Sequence, residues 1–494
     1  CLRQAGAGLK DVDHIAYSFD PELAVDVYPG ELNGIFLNAV ERAPFLLAGD
    51  VPHHLKKRFA DVSPYGPFRW HFMDHHLAHA ASAFIPSPYD HAAVLVLDGR
   101  GEQATTTFWN GQGNHLTRLG QVNMPHSLGM LYEELTAHLG FLRSSDEYKV
   151  MALAAMGKPK YAAWLRRHVH VDGSGQFTLD PIQWPAEAVR ESGGPVTEVH
   201  CDLAHSVQLI LEETVLRLCK WLQQKTDCSQ LCLAGGVALN CVMNGVIRDS
   251  GIFRHIWVQP AAGDAGTALG AALFTDIRER QETHRRYKMD HVYLGPSFED
   301  AEIEAFLKWS KLPYRKLDDV AEETADYLQR GKIIGWFQRG MEFGPRALGA
   351  RSLLAAPFPA SMQDRMNELK DREDFRPVAP VVPEEDAEEW FLHARKSPFM
   401  LFVNQIRPER QGEIPAVRHL DGTARIQTVN ERQNPLYYRL LRAFGRRTGV
   451  PVLINTSFNT RGEPIVCTPR DAVESFWTSP VDVLVIGSYV LEKP

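Results

Sequence analysis

Three short apolar runs, at residues 92–97, 230–233 and 256–258, each stop at a turn made of glycine, alanine and aspartate. The turns are Asp98-Gly99-Arg100-Gly101-Glu102, Ala234-Gly235-Gly236 and Ala262-Gly263-Asp264-Ala265-Gly266. Apolar strands ending in such turns and alternating with helical stretches point to an α/β sheet over residues 1 to about 300. Turns at strand C-termini leave backbone N–H groups open to a ligand. The last turn also opens a helix, predicted over 267–274, whose N-terminus favours anions. One such turn is weak; three in one domain point to a phosphate or nucleotide site.

A chain of 494 residues exceeds one ordinary core, and a second unit is expected. Residues 276–289, rich in Arg, Glu and Gln, read as a solvated helix end leading out of the first domain, and 299–331 as helical and charged. A second α/β unit then runs from the strand at 332–337 to the strand at 481–486. Within the first unit, a strand is expected at 13–17, and 173–194 reads as a polar surface excursion. Residues 1–5 look helical and lack an initiator Met, as though the chain enters its first domain partway through, with a segment missing upstream. A net charge of -8 argues against a nucleic-acid or anionic-membrane surface. No apolar run approaches the ~20 residues of a membrane span, and no signal peptide is present, so the cytoplasm is the expected compartment. The seven cysteines show no zinc spacing. Cys201, Cys219, Cys228, Cys232 and Cys241 read as reduced core residues.

Chemistry concentrates in a few strings. In Asp74-His75-His76-Leu77-Ala78-His79, Asp74 is a candidate N-cap and the histidines are candidate metal ligands. Either His75 with His79 or His76 with His79 shares a helix face, and spacing does not choose between them. The plain alternative is a histidine-rich helix start packed on a core. Asp98 and Asp264 are candidate oxygen ligands, and such a set suits Fe, Mn or Zn. The glutamate of a metalloprotease HExxH motif is absent. Arg346 and Arg351 sit among small residues, where a guanidinium can reach a phosphate or carboxylate; the alternative is a surface arginine paired to an acid. Lys370, Arg372 and Arg376 put three cations in seven residues, interleaved with Phe375 and Pro377. With Arg425, and with Ser457 after an apolar run at 451–454, they suit a polyphosphate pocket better than a solvated face.

Taken in order, these strings resemble the NodU/CmcH family of O-carbamoyltransferases across essentially the whole chain. HHLAHAASAF, VLDGRGE, SLGMLYEELTAHLGF, DEYKVMALA, LAGGVALN and GDAGTALGAAL are similar to its N-terminal half. GWFQRGMEFGPRALGARS, NELKDREDFRPVAP, HLDGTARIQTV and NTSFNTRGEPIV are similar to its C-terminal half. The resemblance implies an actin/sugar-kinase-like (ASKHA) carbamoyl-transfer domain over 1–310 and a YrdC-like α/β domain over 311–494 that makes a carbamoyl adenylate from ATP and carbamoyl phosphate. It implies a metal, Fe2+ or else Mn2+ or Zn2+, on His75, His79, Asp98 and Asp264, and Mg2+ with the ATP. Lys370, Arg425 and Ser457 would hold ATP and carbamoyl phosphate with Arg346 helping, and Gly235, Gly236, Asn240, Gly263 and Arg376 would contact nucleotide. The acceptor would be a hydroxyl of a natural product or sugar. Members begin with a segment carrying a His-His-Asp string that supplies a candidate general base; this sequence lacks it, and His126 is a candidate substitute. Rival readings are a hydrogenase-maturation-like protein that carbamoylates a cysteine, for which the acylphosphatase domain and zinc-finger cysteines are lacking, and a nucleotide-binding module without activity. A homodimer is the base-rate expectation.

Overall fold

The computed structural model describes residues 1–24, 69–281, 287–460 and 462–493. The first half is built on a five-stranded sheet of β1 (His91–Leu97), β2 (Ala104–Gln112), β3 (His115–Asn123), β4 (Gln230–Ala234) and β5 (His255–Val258), in the order β3-β2-β1-β4-β5. β3, β2 and β1 form an antiparallel meander, whereas β4 and β5 run parallel to β1. From Ala92 onward β1 is buried at every residue, which is why it reads as an unbroken apolar run rather than an alternating one. The helices α1 (His75–Phe84) and α2 (Glu198–Thr226) pack on it, and α3 (Cys241–Asp249) follows β4. The strand His14–Tyr17, expected at 13–17, pairs in parallel with Arg69–Phe72.

The helix after the third glycine turn, α4 (Thr267–Arg280), runs through 267–274 into the solvated helix end expected from 276, where Asp276 and Arg280 form an i,i+4 pair. Residues 299–331, expected as helical and charged, hold two helices, α5 (Asp300–Ser310) and α6 (Val320–Gln329). A capping box between Glu299 and Glu302 starts α5, and Lys311 ends it at a φ of +56°. Asp319 then caps α6 by accepting from the amide of Ala321 at 2.9 Å. Residues 1–5, expected as helix, form turns, and the strand Phe177–Leu179 lies inside the expected surface excursion.

The second half is an eight-stranded mixed sheet of β6 (Arg315–Lys316), β7 (Ile334–Phe337), β8 (Arg351–Ala355), β9 (Ala379–Pro383), β10 (Gln427–Val429), β11 (Leu453–Ser457), β12 (Val483–Ile486) and β13 (Tyr489–Glu492). Its order is β6-β13-β12-β7-β8-β11-β9-β10. Successive side chains of β7 enter different cores: Ile334 and Trp336 join α6 and α8 (Pro435–Thr448), while Phe337 joins α5, α7 (Met362–Leu369) and α9 (Pro469–Thr478). Covered on both faces, β7 and β12 carry no polar side chain, whereas β8 and β11 bring Arg351, Ser352, Asn455, Thr456 and Ser457 into the sheet. Ile303 and Leu307 of α5 belong to this second core, so α5 packs with the C-terminal half. All seven cysteines are free, and the five expected in the core are buried. No helix among the described residues is long and apolar enough to cross a membrane.

Candidate active site

Two polar clusters stand out, and the first is assembled by close packing of small residues. α1 and α4 cross so tightly that a Cβ on Gly270 would lie 1.9 Å from the Ala78 carbonyl. That approach brings Asp264, at the foot of α4, to the first turn of α1. Asp74 caps α1 by accepting from the Leu77 amide at 2.7 Å, and Glu102 accepts from the amides of His75 (3.0 Å) and Asp20 (2.7 Å). On the other side, the Gly236 amide donates to Asp98 Oδ1 at 2.7 Å. The turn that presents this amide needs glycine at Gly235, where φ is +90° and a Cβ would meet the Leu97 carbonyl oxygen at 2.1 Å.

The side chains of His75, His79, Asp98 and Asp264 converge, with donor atoms all within 4.8 Å of one another. His75 Nε2 lies 3.1 Å from His79 Nε2, 3.3 Å from Asp98 Oδ2 and 3.5 Å from Asp264 Oδ1. His79 Nε2 lies 3.8 Å and 3.6 Å from the same two carboxylates. The i,i+4 pair is thus the one that converges. His76 turns to Thr107 Oγ1 at 3.1 Å, and burial drives its proton affinity down to about 3. His75 Nδ1 lies 3.0 Å from the Ser18 carbonyl, which only accepts, so Nδ1 donates there and Nε2 is the nitrogen directed at the cluster. Burial disfavours charge on His75, but Asp264 and Asp98 outweigh it and raise its proton affinity to about 11. Burial would likewise raise Asp98, yet His75 and His79 hold it well below the carboxylate range; the same two histidines lower Asp264. The cluster therefore calls for positive charge at its centre. Ligands held about 2.1 Å from one ion sit roughly 3–3.5 Å apart, close to the separations here, so this donor set fits a divalent metal. Asp264 is exposed, which leaves one side open.

The second cluster lies in a cavity of about 980 Å³ lined by both halves. Lys370, which follows α7, is buried and donates to the Ser457 carbonyl (2.6 Å) and Oγ (3.0 Å) and to Asn459 O (3.1 Å) and Oδ1 (2.7 Å). Burial, with Arg372 and Arg376 nearby, pulls its proton affinity well below the usual lysine range, and the four oxygens oppose that pull. Arg346, Arg372 and Arg425 also face the cavity, and Arg346 Nε, Arg372 Nη2 and Arg425 Nε are buried without an acceptor. Burial and Arg425 lower Arg346 to about 9; burial and Arg376 lower Arg372 to about 9. Arg376 stacks over Tyr148 of the first half at 4.6 Å, and Lys149 pairs with Glu373 at 2.8 Å. Cations crowded together with unanswered donors are costly until an anion arrives.

Two family models match this sequence: the carbamoyltransferase N-terminus over residues 66–273 and the carbamoyltransferase C-terminus over 325–493. The chain belongs to the carbamoyltransferase family. It is 40% identical to nodulation protein NolNO of Sinorhizobium fredii, over all of this chain and 73% of the relative. It is 39% identical to an uncharacterized protein of Synechocystis, over all of this chain and 89% of that one. A 3'-hydroxymethylcephem-O-carbamoyltransferase of Amycolatopsis lactamdurans is 35% identical over 70% of this chain and 64% of its own. The solved HypF of T. kodakarensis matches 56% of this chain and 41% of its own at 16% identity with a TM-score of 0.29.

The carbamoyltransferase gathers its sequence-marked residues into these two clusters, with exceptions. Gly235 and Gly236 serve Asp98, and Gly263 adjoins Asp264. Asn240 caps α3 by accepting from the Met243 amide at 3.0 Å and donates to Gln208 Oε1 at 2.8 Å, which accounts for it structurally. His126 Nδ1 accepts the Leu179 amide at 3.1 Å, so that nitrogen is not free to act as a base. Arg351 is structural too: its guanidinium donates to the carbonyls of Gln338 (2.7 Å) and Pro296 (3.0 Å). Tyr148, Lys149 and Arg190 line the cavity without having been singled out. The string DEYKVMALA marked the first two only as part of a resemblance, and Arg190 lies in the stretch read as a surface excursion.

Proposed function

We propose that this carbamoyltransferase forms a carbamoyl adenylate from ATP and carbamoyl phosphate in the cationic cavity and passes the carbamoyl group to a hydroxyl of a small molecule. The observation that carries the reading is the set of buried, unanswered arginine N–H groups around Lys370. Their spacing in one cavity suits a polyphosphate and a second anionic substrate, because a charge-assisted hydrogen bond is roughly twice as strong as a neutral one. Water first releases phosphate from carbamoyl phosphate. An oxygen of the resulting carbamate then attacks the α-phosphorus of ATP, and pyrophosphate leaves with the electron pair of the broken P–O bond. Lys370 and the arginines offset the charge that builds on the leaving group. The acceptor oxygen then attacks the carbamoyl carbon, AMP departs, and the hydroxyl proton goes to solvent or a base. A divalent ion held by His75, His79, Asp98 and Asp264, when bound, would supply Lewis-acid polarisation. ATP is expected to arrive with Mg2+.

The same reading assigns the first half to the actin/sugar-kinase-like class, supported by its β3-β2-β1-β4-β5 order and by glycine turns after β1 and β4. The C-terminal half is proposed as YrdC-like, with the boundary ahead of Asp300, since α5 packs on the second core. The deciding experiment is carbamoyl-phosphate-dependent exchange of labelled pyrophosphate into ATP by the wild type and by Lys370→Ala. Exchange that the substitution reduces by at least about a hundredfold is expected, since an electrostatic donor removed from such a site costs that much. ATP binding without exchange would overturn the reading in favour of a nucleotide-binding module.

A further inference from the structure

A second cavity, of about 620 Å³, lies elsewhere between the two halves, and neither polar cluster uses it. Its walls are apolar and aromatic. Tyr89, Trp257 and Met289 come from the first half, and Phe399, Leu401 and Phe402 from the second. Trp257 and Phe399 meet edge to face at 6.5 Å, and both line the cavity. Above these walls stand Arg254, Lys288, Arg395 and Lys396, all exposed and none in an ion pair among the described residues. The other two cations are already answered, Arg248 by Asp249 at 2.7 Å and Arg432 by Asp290 at 3.8 Å. Asp290 is the only acid among the described lining residues. In a protein of net charge -8, four unpaired cations around one apolar hollow are a local reversal of sign.

We propose that this cavity binds an amphipathic anion, an aromatic or aliphatic body that enters among Trp257, Phe399 and Phe402 and a carboxylate, sulfonate or phosphate that meets Arg395 and Lys396. The volume falls within the usual range for a small-molecule pocket, roughly 300–1,000 Å³, and suits one ligand rather than a polymer. The two parts of the ligand answer two separate features of the site. Aromatic walls reward burial of the body, and an exposed cation beside a low-dielectric wall holds an anion more firmly than one in open water.

The site also has a physical link to the catalytic cavity. Phe399 and Leu401 line the second cavity, while Met400 between them lines the first. Met400 has a φ of +58°, a conformation that side chains other than glycine seldom adopt. The strip is anchored to the strand beside Arg425: the Ser397 amide donates to Thr428 Oγ1 at 2.8 Å, and Ser397 Oγ donates to the Ile426 carbonyl at 3.0 Å.

The test uses 1-anilinonaphthalene-8-sulfonate as the anionic probe and N-phenyl-1-naphthylamine as its neutral counterpart, titrated by fluorescence into the full chain. The expected result is one sulfonate bound per chain and not displaced by ATP. Arg395→Glu combined with Lys396→Glu should weaken the sulfonate at least about tenfold and leave the neutral dye unchanged, whereas Phe402→Ala should weaken both. Unchanged pyrophosphate exchange in the charge-reversed variant would show that it is folded. Equal sulfonate affinity in wild type and charge-reversed protein would overturn the proposal. Displacement by ATP would do so as well, by putting the dye in the first cavity.

Discussion

Lys370 holds two opposing influences at one ammonium. Burial and the adjacent Arg372 and Arg376 lower its proton affinity, while four oxygens from Ser457 and Asn459 hold its ammonium. An incoming polyphosphate relieves the burden of like charge, so its pKa should rise on binding. In the pH window between the free and bound values, binding must then take up a proton, and affinity must fall as pH rises through that window. Calorimetry of ATP binding in buffers of different ionisation enthalpy should show that uptake in the wild type and its loss in Lys370→Met. At the other cluster, Asp98→Asn removes a carboxylate the imidazoles face. Metal content after exposure to Fe2+, Mn2+ or Zn2+ should fall at least about tenfold in affinity, measured by elemental analysis after dialysis. His76→Gln, one residue from His75 but turned to Thr107, should keep its metal.

At the scale of elements, two close contacts decide where the chemistry sits. The loop that carries Arg346 is folded around Glu342, whose Oε1 accepts from the amides of Leu348 (2.7 Å), Ala350 (2.7 Å) and Arg351 (3.2 Å). Glu342→Ala strands all three buried donors, each costing about 1–3 kcal/mol, whereas Glu342→Gln keeps an acceptor in place. Thermal unfolding should show a large loss of Tm for the alanine variant and a small one for glutamine, with KM for ATP rising in the same order. The α1–α4 crossing is equally unforgiving. Gly270→Ala puts a methyl group onto the Ala78 carbonyl, an overpacking cost of about 1–3 kcal/mol, and pushes Asp264 away from His75 and His79. Lower Tm together with weaker metal retention is expected, and retention equal to wild type would mean that α4 does not set the position of Asp264.

The whole molecule is organised by what the two halves share. Tyr148 and Lys149 of the first half meet Arg376 and Glu373 of the second across the cationic cavity. A ligand that fills it touches both, so ATP at a hundred times its Kd should stabilise the chain by about 2.7 kcal/mol. Tyr148→Ala should reduce that thermal shift, measured at matched ATP concentration. Much of this protein is legible in one dimension. The buried strands declare themselves as apolar runs, since a strand covered on both faces has no polar side to show. The glycine turns are legible because a φ of +90° at Gly235 admits little else, and the ordered strings carry the family. Lys370, Arg425, Ser457 and Arg346 stand out in the same strings by residue type. What no local pattern contains is a contact between distant segments. Nothing in the spacing of His75, His76 and His79 chooses the converging pair; that choice depends on α4 arriving from nearly two hundred residues away, with Asp264 at its foot. Arg190 looked like surface because its stretch is polar, and only the packing of the halves makes it cavity wall. Arg346 and Arg351, five residues apart in one string, differ in fate for the same reason. One guanidinium meets the carbonyls of neighbouring strands and loops, and the other is left facing a cavity whose far wall lies in the other half of the chain. Most of the elements, and all of the chemical groups they carry, are written along the chain, because propensity, burial and turn geometry act between near neighbours. The tertiary structure alone decided which of those groups share a site, because charge and hydrogen bonding act over a few ångströms of space, whatever their separation along the chain.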